Sequence, residues 1–270
     1  MGGLNSFGTG TQKGGPGKTT ITLNVAAALA LGGNRVAIVD LDLQGDATIA
    51  MGVEATPGKT VGSLITNKAL TIEDVIVDRT DALDGVPGRE EGGKLYVLPA
   101  ERGDLIQAVT EMQKNPIAGA YAVRNIVRQM EGGVDWVAID FRPDLDILVG
   151  AGTAAVDAVM AVMHPQLATF RGGLAFQQSI DQLRAEAGAT TRFLGVVLNQ
   201  YEDGEEAGWV EGELVEAGTK VFETKIPRSK NASKSYAFGR PAVLQYPTSR
   251  VAQRFVDLAV EMLDRYEGRR

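Results

Sequence analysis

The sequence contains no cysteine and a single histidine, His164. The lack of cysteine excludes disulfide bonds, thiolate metal sites and a cysteine nucleophile, and it is compatible with a reducing compartment. No run approaches the ~20 consecutive apolar residues that a membrane-spanning helix needs. The segment Met1–Gly10 also lacks the basic and apolar regions of a signal peptide. We therefore expect a soluble, cytoplasmic protein.

An excess of positive charge is absent as well. The chain has 27 lysines and arginines against 34 acidic residues, which gives a net charge of −7. That balance argues against a protein coated with nucleic acid, although a total charge does not exclude a local basic patch. Apolar residues make up 44% of the chain, enough for a sizeable core, so a disordered chain is not expected.

Short apolar runs alternate with helical patterns along the 270 residues. The runs that predict buried strands are Arg35–Asp40, Lys94–Leu98, Trp136–Asp140, Ala158–Met163 and Phe193–Leu198. The helical patterns are Thr19–Leu31, Tyr121–Met130, Gly172–Ala187, Glu205–Ala217 and Ser249–Tyr266. This alternation predicts an α/β fold: a single domain, residues 1–270, with a mostly parallel twisted sheet and helices on both faces. The irregular stretch Thr56–Gly93 is expected to be a surface excursion.

The segment Thr11–Thr20, TQKGGPGKTT, predicts a phosphate-binding loop. Its end fits the pattern G-x-x-x-x-G-K-[ST], whereas Gln12 stands where that pattern has its first glycine. Lys18 can reach the β- and γ-phosphates of a nucleotide, and the Thr19 hydroxyl can ligate Mg²⁺. Three glycines allow the backbone to turn its N–H groups toward a phosphate: Gly14, Gly15 and Gly17.

A glycine-rich turn before an ordinary helix is the alternative interpretation of this segment. The helix-compatible sequence that begins at Ile21 favours the phosphate loop, because a helix N-terminus adds its dipole to an anion site. A strand should precede such a loop, yet Leu4–Thr11 is a poor strand by composition.

A second lysine, Lys13, narrows the class of phosphate loop. The sequence KGGPGKT resembles the deviant Walker A motif of the ParA/MinD family of dimeric ATPases, in particular the short ParA/Soj-type partition ATPases. The resemblance implies a P-loop fold, the cofactors ATP or ADP and Mg²⁺, and an ATP-dependent homodimer. It also implies that Lys13 contacts the partner's nucleotide in trans while Lys18 acts in cis. A loop lysine alone is usually only solvated, and other family motifs that follow in order favour the functional role.

Two aspartates end the first long apolar run, in RVAIVDLDLQGDAT. This is similar to the family motif D-x-D-P-Q-G-N, which implies that Asp40 lies near Mg²⁺ and that Asp42 orients the attacking water. Leu43 and Asp46 depart from the motif. The alternative is that both aspartates cap the next helix. Asp140, after the run WVAI, fits a Walker B carboxylate behind Mg²⁺, although the Phe141-Arg142 pair that follows it is unusual for the family.

The C-terminal half keeps the family's order of motifs. Asn199, at the end of FLGVVLNQ, stands where the family's asparagine contacts adenine. The stretch Thr219–Pro247 resembles the segment with the IPR and G-x-P elements, which implies that Pro227 and Arg228 lie beside the base. The resemblance therefore spans nearly the whole chain.

The resemblance implies an ATPase that binds DNA without sequence preference and drives the segregation of a plasmid or chromosome. A centromere-binding or cargo-adaptor protein is expected to stimulate its hydrolysis. The alternatives are a ParA-like ATPase that positions a protein cargo, such as a microcompartment or chemoreceptor cluster, or a MinD-like division-site regulator. A metabolic P-loop kinase or ligase is a further class, which Lys13 disfavours. We expect neither an N-terminal helix-turn-helix domain nor a C-terminal membrane helix.

A local basic segment makes DNA binding compatible with the acidic total. Thr219–Arg254 contains eight basic residues and one acid, Glu223; the segment therefore carries +7 and, because the whole chain carries −7, the rest carries −14. Such a separation of positive from negative charge is typical of an acidic protein with one phosphate-binding face. The residues expected to contact DNA are Lys230, Lys234, Arg240 and Arg250, and the expected location is cytoplasmic and nucleoid-associated. The alternative is that these cations are scattered and merely solvated.

Overall fold

Eight strands form one sheet in the order β3-β4-β2-β5-β1-β6-β7-β8. All neighbours are parallel except β3, which runs antiparallel to β4 at one edge. The strands are β1 (Asn5–Gly10), β2 (Arg35–Leu41), β3 (Val77–Asp78), β4 (Lys94–Leu98), β5 (Trp136–Phe141), β6 (Ala158–Met163), β7 (Arg192–Tyr201) and β8 (Ile226–Pro227). This computed structural model describes residues 3–10, 15–141, 147–187 and 189–269, without the side chains of residues 171, 186 and 187.

Helices cover both faces of the sheet. In the described chain they are α1 (Lys18–Leu31), α2 (Asp46–Ala50), α3 (Val61–Thr66), α4 (Arg102–Lys114), α5 (Pro116–Gln129), α6 (Ile147–Ala155), α7 (Leu167–Ala187), α8 (Glu205–Glu216), α9 (Lys230–Ser235), α10 (Ala242–Gln245) and α11 (Arg250–Tyr266). The predicted α/β fold with a mostly parallel sheet is confirmed, and the five predicted strands are all present. Within the described residues, we find no helix with the length and apolarity that crossing a membrane would require.

Six helices of the described chain were not predicted: α4, α6 and the short helices α2, α3, α9 and α10. α5 and α7 start earlier than predicted. α6 is a nearly uniform run of apolar and small residues, so it shows no periodic stripe. α4 exposes most of its length and buries only three side chains, which gives a weak pattern. α5 starts at Pro116, with the Asn115 side chain accepting from the Ala118 N–H. Proline at the first helical position after an asparagine cap is a start signal that periodicity alone does not detect.

The two faces of the sheet bury separate apolar clusters, because successive strand side chains point to opposite sides. On β2, Val36 and Ile38 join the cluster under α1, α10 and α11, whereas Val39 and Leu41 join the cluster under α4 to α8. Residues 56–93, predicted as a surface excursion, contain α3, two 3₁₀ turns and the edge strand β3.

The central strand is β1, which lies in the segment Leu4–Thr11 that the sequence analysis judged a poor strand by composition. Its residues are small because bulky neighbours fill the space above them. A Cβ on Gly8 would lie 2.1 Å from Phe141 Cε2, and a Cβ on Gly10 would lie 2.1 Å from Phe176 Cζ. A Cβ on Gly152 of α6 would meet the same ring, at 2.6 Å from Phe141 Cε1. The Phe141 side chain, which is fully buried, thus has a structural role that explains its departure from the family motif.

We expect Gly8→Ala to lower the free energy of unfolding by about 1–3 kcal/mol, because the added Cβ overlaps the buried Phe141 ring. The midpoint of urea unfolding measures the change. Gly150→Ala on α6 is the control, since nothing lies within 4 Å of its Cβ. In a Phe141→Leu background, Gly8→Ala should lower the free energy of unfolding by less, because the ring that the new Cβ overlaps is gone. Equal midpoints for Gly8→Ala and Gly150→Ala would contradict the close packing.

Candidate functional site

The loop between β1 and α1 meets the carboxyl edge of the sheet. Gly15 and Gly17 have φ angles of 92° and 84°, in the left-handed region that glycine adopts without strain. Gly17 is the N-cap of α1 and Lys18 its first residue, so the free N–H groups of the helix start lie at this point. The Lys18 side chain is largely buried, at 7% exposure. Lys13 and Gly14 lie outside the described residues.

Asp40 and Asp140 stand side by side at this edge. They are register partners on the adjacent parallel strands β2 and β5, and both are fully buried. The Thr19 hydroxyl donates to Asp140 Oδ2 at 2.6 Å, which ties the first turn of α1 to β5. The three residues that the sequence assigned to Mg²⁺ are therefore brought together, across 121 positions of sequence for the Thr19–Asp140 pair.

Asp40 also organises the loop that follows it. Its Oδ2 accepts from the N–H and the hydroxyl of Thr48, at 2.8 and 2.7 Å, and its Oδ1 accepts from the Asp42 N–H at 3.0 Å. Thr48 lies in the first turn of α2, so Asp40 satisfies one free helical N–H, as the capping interpretation predicted. The partly exposed Asp42 makes only a local turn, in which Oδ1 accepts from the Gln44 N–H at 3.0 Å.

The buried carboxylate pair suits a divalent cation. Burial raises the pKa of Asp140 to about 8, with the neighbouring Asp40 charge adding to the shift, and burial raises the pKa of Asp40 to about 6. Two carboxylates that repel each other in a dry site are stabilised by a cation. Carboxylate and hydroxyl oxygens are ligands that Mg²⁺ prefers. Asp40, Asp140 and Thr19 therefore fit Mg²⁺ by the chemistry of their donor atoms.

A cavity of about 870 Å³ extends from the phosphate loop to the ends of β7 and β8. Its lining comprises Gly15, Gly17, Thr20, Asn199, Gln200, Glu202, Pro227, Arg228, Ser229, Lys230, Ala232, Ser233, Lys234 and Tyr236. Asn199, Pro227 and Arg228, which the sequence assigned to the base, thus share one cavity with the loop. Its volume is in the range that ligand sites of proteins occupy.

Asn199 contacts the loop itself. Its Nδ2 donates to the Pro16 carbonyl at 2.7 Å, and a Cβ on Gly17 would lie 2.3 Å from that nitrogen. Nδ2 commits one of its two protons to Pro16, so its second proton and the acceptor Oδ1 remain to meet a base. An acceptor at this place would suit the exocyclic amine of adenine.

Tyr236 and Gln200 are two of the lining residues that the sequence interpretation did not assign to any site. The Tyr236 hydroxyl lies 2.8 Å from the Thr20 hydroxyl. Gln200 has a φ of 53°, a left-handed backbone that is uncommon outside glycine. Nothing in the spacing of either residue indicated this, since both depend on the approach of distant segments.

The four cations that the sequence assigned to DNA do not form one group. Lys230 and Lys234 line the cavity from α9, and Arg250 begins α11 as an exposed residue. Arg240 contacts the backbone instead: its Nη2 donates to the carbonyls of Ala82 and Asp84, at 2.5 and 3.4 Å. Its guanidinium holds the 3₁₀ turn before β4 and is not a free surface cation.

A family model described as an AAA domain matches residues 8–192, which span β1 to the start of β7. The chromosome-partitioning ATPase Soj of Thermus thermophilus is 33% identical over 259 residues, covering 95% of this chain and 94% of Soj. The chromosome partitioning protein ParA of Caulobacter vibrioides is 28% identical over 270 residues, covering 98% of this chain and 96% of ParA.

This chain belongs to the ParA/MinD family of P-loop ATPases. The predicted resemblance is thereby confirmed. The crystal structure of cobyrinic acid a,c-diamide synthase from Mycobacterium smegmatis with bound ADP and magnesium has a TM-score of 0.79 and 22% identity to this ATPase. It covers 99% of this chain and 97% of its own. At that identity the likeness shows a shared fold.

We expect Lys18→Ala to abolish binding of a fluorescent ATP analogue, with an affinity loss on the order of 100-fold or more. The substitution removes the charge at the start of α1 where the β- and γ-phosphates would lie. Fluorescence anisotropy measures the affinity, and Lys68→Ala, an exposed lysine, is the control. An affinity within a few-fold of wild type would show that the loop is only a turn.

Proposed function

We propose that this chain is a ParA-like ATPase that dimerises on ATP, binds DNA without sequence preference and drives the segregation of a plasmid or chromosome. One observation carries the proposal: the similarity to the chromosome-partitioning ATPase Soj extends over 95% of this chain. The site geometry is compatible with it, because the phosphate loop, the paired carboxylates and the base-side residues meet at one edge of the sheet.

The nucleotide would lie between the phosphate loop and the β7–β8 edge. Gly15, Gly17 and Lys18 would hold the phosphates, together with the hydroxyl of Thr20. Asp40, Asp140 and Thr19 would hold Mg²⁺. When bound, Mg²⁺ neutralises charge on the phosphate oxygens. Asn199 would accept from the adenine amine, with Pro227 and Arg228 beside the base.

Asp42 is proposed to orient the attacking water. Its backbone N–H is fixed by Asp40, while among the described residues its carboxylate accepts only the local bond from the Gln44 N–H. Part of that carboxylate is therefore still available to a water molecule at the γ-phosphate end. A positioned carboxylate near the in-line direction is the kind of group that phosphoryl transfer to water requires.

Asp42→Ala should leave ATP bound but reduce hydrolysis by about 100-fold or more, because it removes the group that orients the water. Phosphate release and ATP-analogue affinity are measured together. Glu54→Ala, an exposed acid outside the site, is the control. Turnover at the wild-type rate in Asp42→Ala would show that Asp42 is assigned wrongly.

Dimerisation is proposed to place Lys13 of each protomer on the nucleotide of its partner. Lys13→Ala should then keep most of the nucleotide affinity while losing both dimerisation and hydrolysis. Light scattering of the hydrolysis-deficient Asp42→Ala form, with and without ATP, measures the dimer, and the Asp42→Ala, Lys13→Ala double variant is compared with it. A dimer of equal strength without nucleotide would exclude a nucleotide-filled interface.

DNA binding is proposed for the cations of the basic segment that the fold leaves accessible. Lys225 pairs with Glu211, Arg228 lies 3.7 Å from Glu202, and Arg254 pairs with Asp257. In the described part of the chain, no ion pair engages the exposed Lys230, Lys234 or Arg250. These three residues are therefore the revised set. Dimerisation would double the set and make DNA affinity depend on ATP.

Alanine at Lys230, Lys234 or Arg250 should weaken binding to unrelated duplexes equally, whatever their sequence. Each lost phosphate contact should lower the slope of log affinity against log salt by about 0.9, because fewer counterions are released. Titrations at several salt concentrations, with a slowly hydrolysed ATP analogue, measure this, and Lys68→Ala is the control. Strong preference for one duplex would indicate a repressor. No binding with ATP present would favour a protein cargo instead.

A membrane-directed role is disfavoured by the packing of α11. The apolar stripe of this helix is buried in the core under α1, through residues such as Val251, Phe255 and Leu258. A helix must expose its apolar face to lie in a membrane interface. We therefore propose that α11 is part of the single ATPase domain.

A further inference from the structure

Helix α9 and the 3₁₀ turn after it, Tyr236–Phe238, form one wall of the nucleotide cavity. The Tyr236 ring packs against the apolar core, and its hydroxyl lies 2.8 Å from the hydroxyl of Thr20. Thr20 lies in the first turn of α1, directly after Lys18 and Thr19. A bond between two hydroxyls therefore connects the phosphate-binding turn to the wall that carries Lys230 and Lys234.

The chemistry of two hydroxyls makes this bond directional once a phosphate is present. Each hydroxyl has one proton to donate and can also accept. If the Thr20 proton goes to a phosphate oxygen, Thr20 can only accept from Tyr236, so Tyr236 must donate. Burial raises the pKa of Tyr236, which keeps its proton in place at neutral pH. Bonds arranged head to tail in this way strengthen one another.

Thr20 is held by the same C-terminal region at its backbone. Its carbonyl accepts from Asn24 Nδ2 at 2.8 Å, and Asn24 Oδ1 accepts from the N–H of Val243 at 2.8 Å. Asn24 is almost completely buried. The turn of α1 that meets the phosphates is thus fastened to residues 236–243 through both its hydroxyl and its carbonyl.

The end of this wall also touches the C-terminal end of α2, the helix that follows the Asp42 loop. A Cβ on Gly239 would lie 2.7 Å from Gly52 Cα, and the two residues have φ angles of 61° and 64°. Two backbones in left-handed turns therefore meet where only glycine fits. Gly52 closes α2, the helix whose Thr48 holds Asp40. Residues 229–239 hence contact the phosphate loop at Thr20 and the end of α2 at Gly52.

We propose that Tyr236 is a positioning residue of the nucleotide site: it donates to Thr20, orients that hydroxyl toward a nucleotide phosphate, and couples phosphate binding to helix α9. The proposal rests on the proposed function, because it assumes a nucleotide at the phosphate loop. It adds a physical connection by which nucleotide binding affects helix α9, which carries Lys230 and Lys234.

The first test is the affinity for ADP and for a slowly hydrolysed ATP analogue, measured by calorimetry. Tyr236→Phe keeps the ring and deletes the hydroxyl, and it should weaken both nucleotides about three- to tenfold. Tyr246→Phe is the matched control: this ring packs on Phe238 in the same segment. A loss confined to nucleotide affinity, with the thermal midpoint of the free protein unchanged, separates positioning from a structural role.

A double-mutant cycle isolates the bond between the hydroxyls. Thr20→Val should weaken nucleotide binding. Adding Tyr236→Phe to this variant should cause no further loss of nucleotide affinity, because the hydroxyl that accepts from Tyr236 is already gone. Thr20→Ser keeps a hydroxyl and should restore the sensitivity to Tyr236→Phe. Additive losses in the Thr20→Val background would overturn the proposal, as would wild-type affinity in Tyr236→Phe.

The second test measures the coupling to α9 by hydrogen exchange of residues 229–239. ADP should protect this segment in wild type and in Tyr246→Phe, but several-fold less in Tyr236→Phe at nucleotide concentrations that saturate both proteins. Equal protection would overturn the coupling. The test needs no DNA, so its result decides the coupling even if the protein does not bind DNA. A wild-type protein that binds no nucleotide would instead overturn the proposed function and this inference with it.

Discussion

The hydrogen bond from the Thr19 hydroxyl to Asp140 Oδ2, 2.6 Å long, is the contact on which the site depends. It fixes the first turn of α1 over the end of β5, and the parallel pairing of β5 with β2 then brings Asp40 beside Asp140. Both carboxylates are fully buried, and burial raises the pKa of each, with the neighbouring Asp40 charge adding to the shift of the Asp140 pKa. Such an arrangement costs stability in the free protein, which is typical of sites built to hold a cation.

The close packing around β1 makes this geometry possible. Gly8 and Gly152 let the Phe141 ring lie directly on the central strand, so β5 can continue one residue past Asp140 as a buried strand. On the other side of the loop, Asn199 holds Pro16, and Tyr236 holds Thr20. The phosphate loop is therefore supported from β5, β7 and the 3₁₀ turn after α9, three segments that come from three distant parts of the chain.

The cations of the basic segment Thr219–Arg254 are close together in the sequence but make different kinds of contact in the folded protein. Of its cations, Lys225 and Arg254 pair with acids, and Arg240 binds backbone carbonyls. Lys230 and Lys234 belong to the nucleotide cavity as much as to the outer surface. Under the proposed function, one wall would contact both nucleotide and DNA, and it would give the two ligands a short physical route to each other.

Local chemistry and order determined much of this protein from the sequence alone. The phosphate loop, the strand-end aspartates and the buried parallel strands follow from residue types at fixed spacing, and the family resemblance places them in the right fold. Contacts between distant segments that no motif encodes could not be predicted. A weak strand such as β1 becomes the centre of the sheet because Phe141 and Phe176 fill the space left by its glycines. Arg240 turns inward because a carbonyl pair 156–158 positions away accepts its protons. The Tyr236–Thr20 bond, across 216 positions, likewise exists only once the chain is folded, since no local pattern encodes a partner so far away.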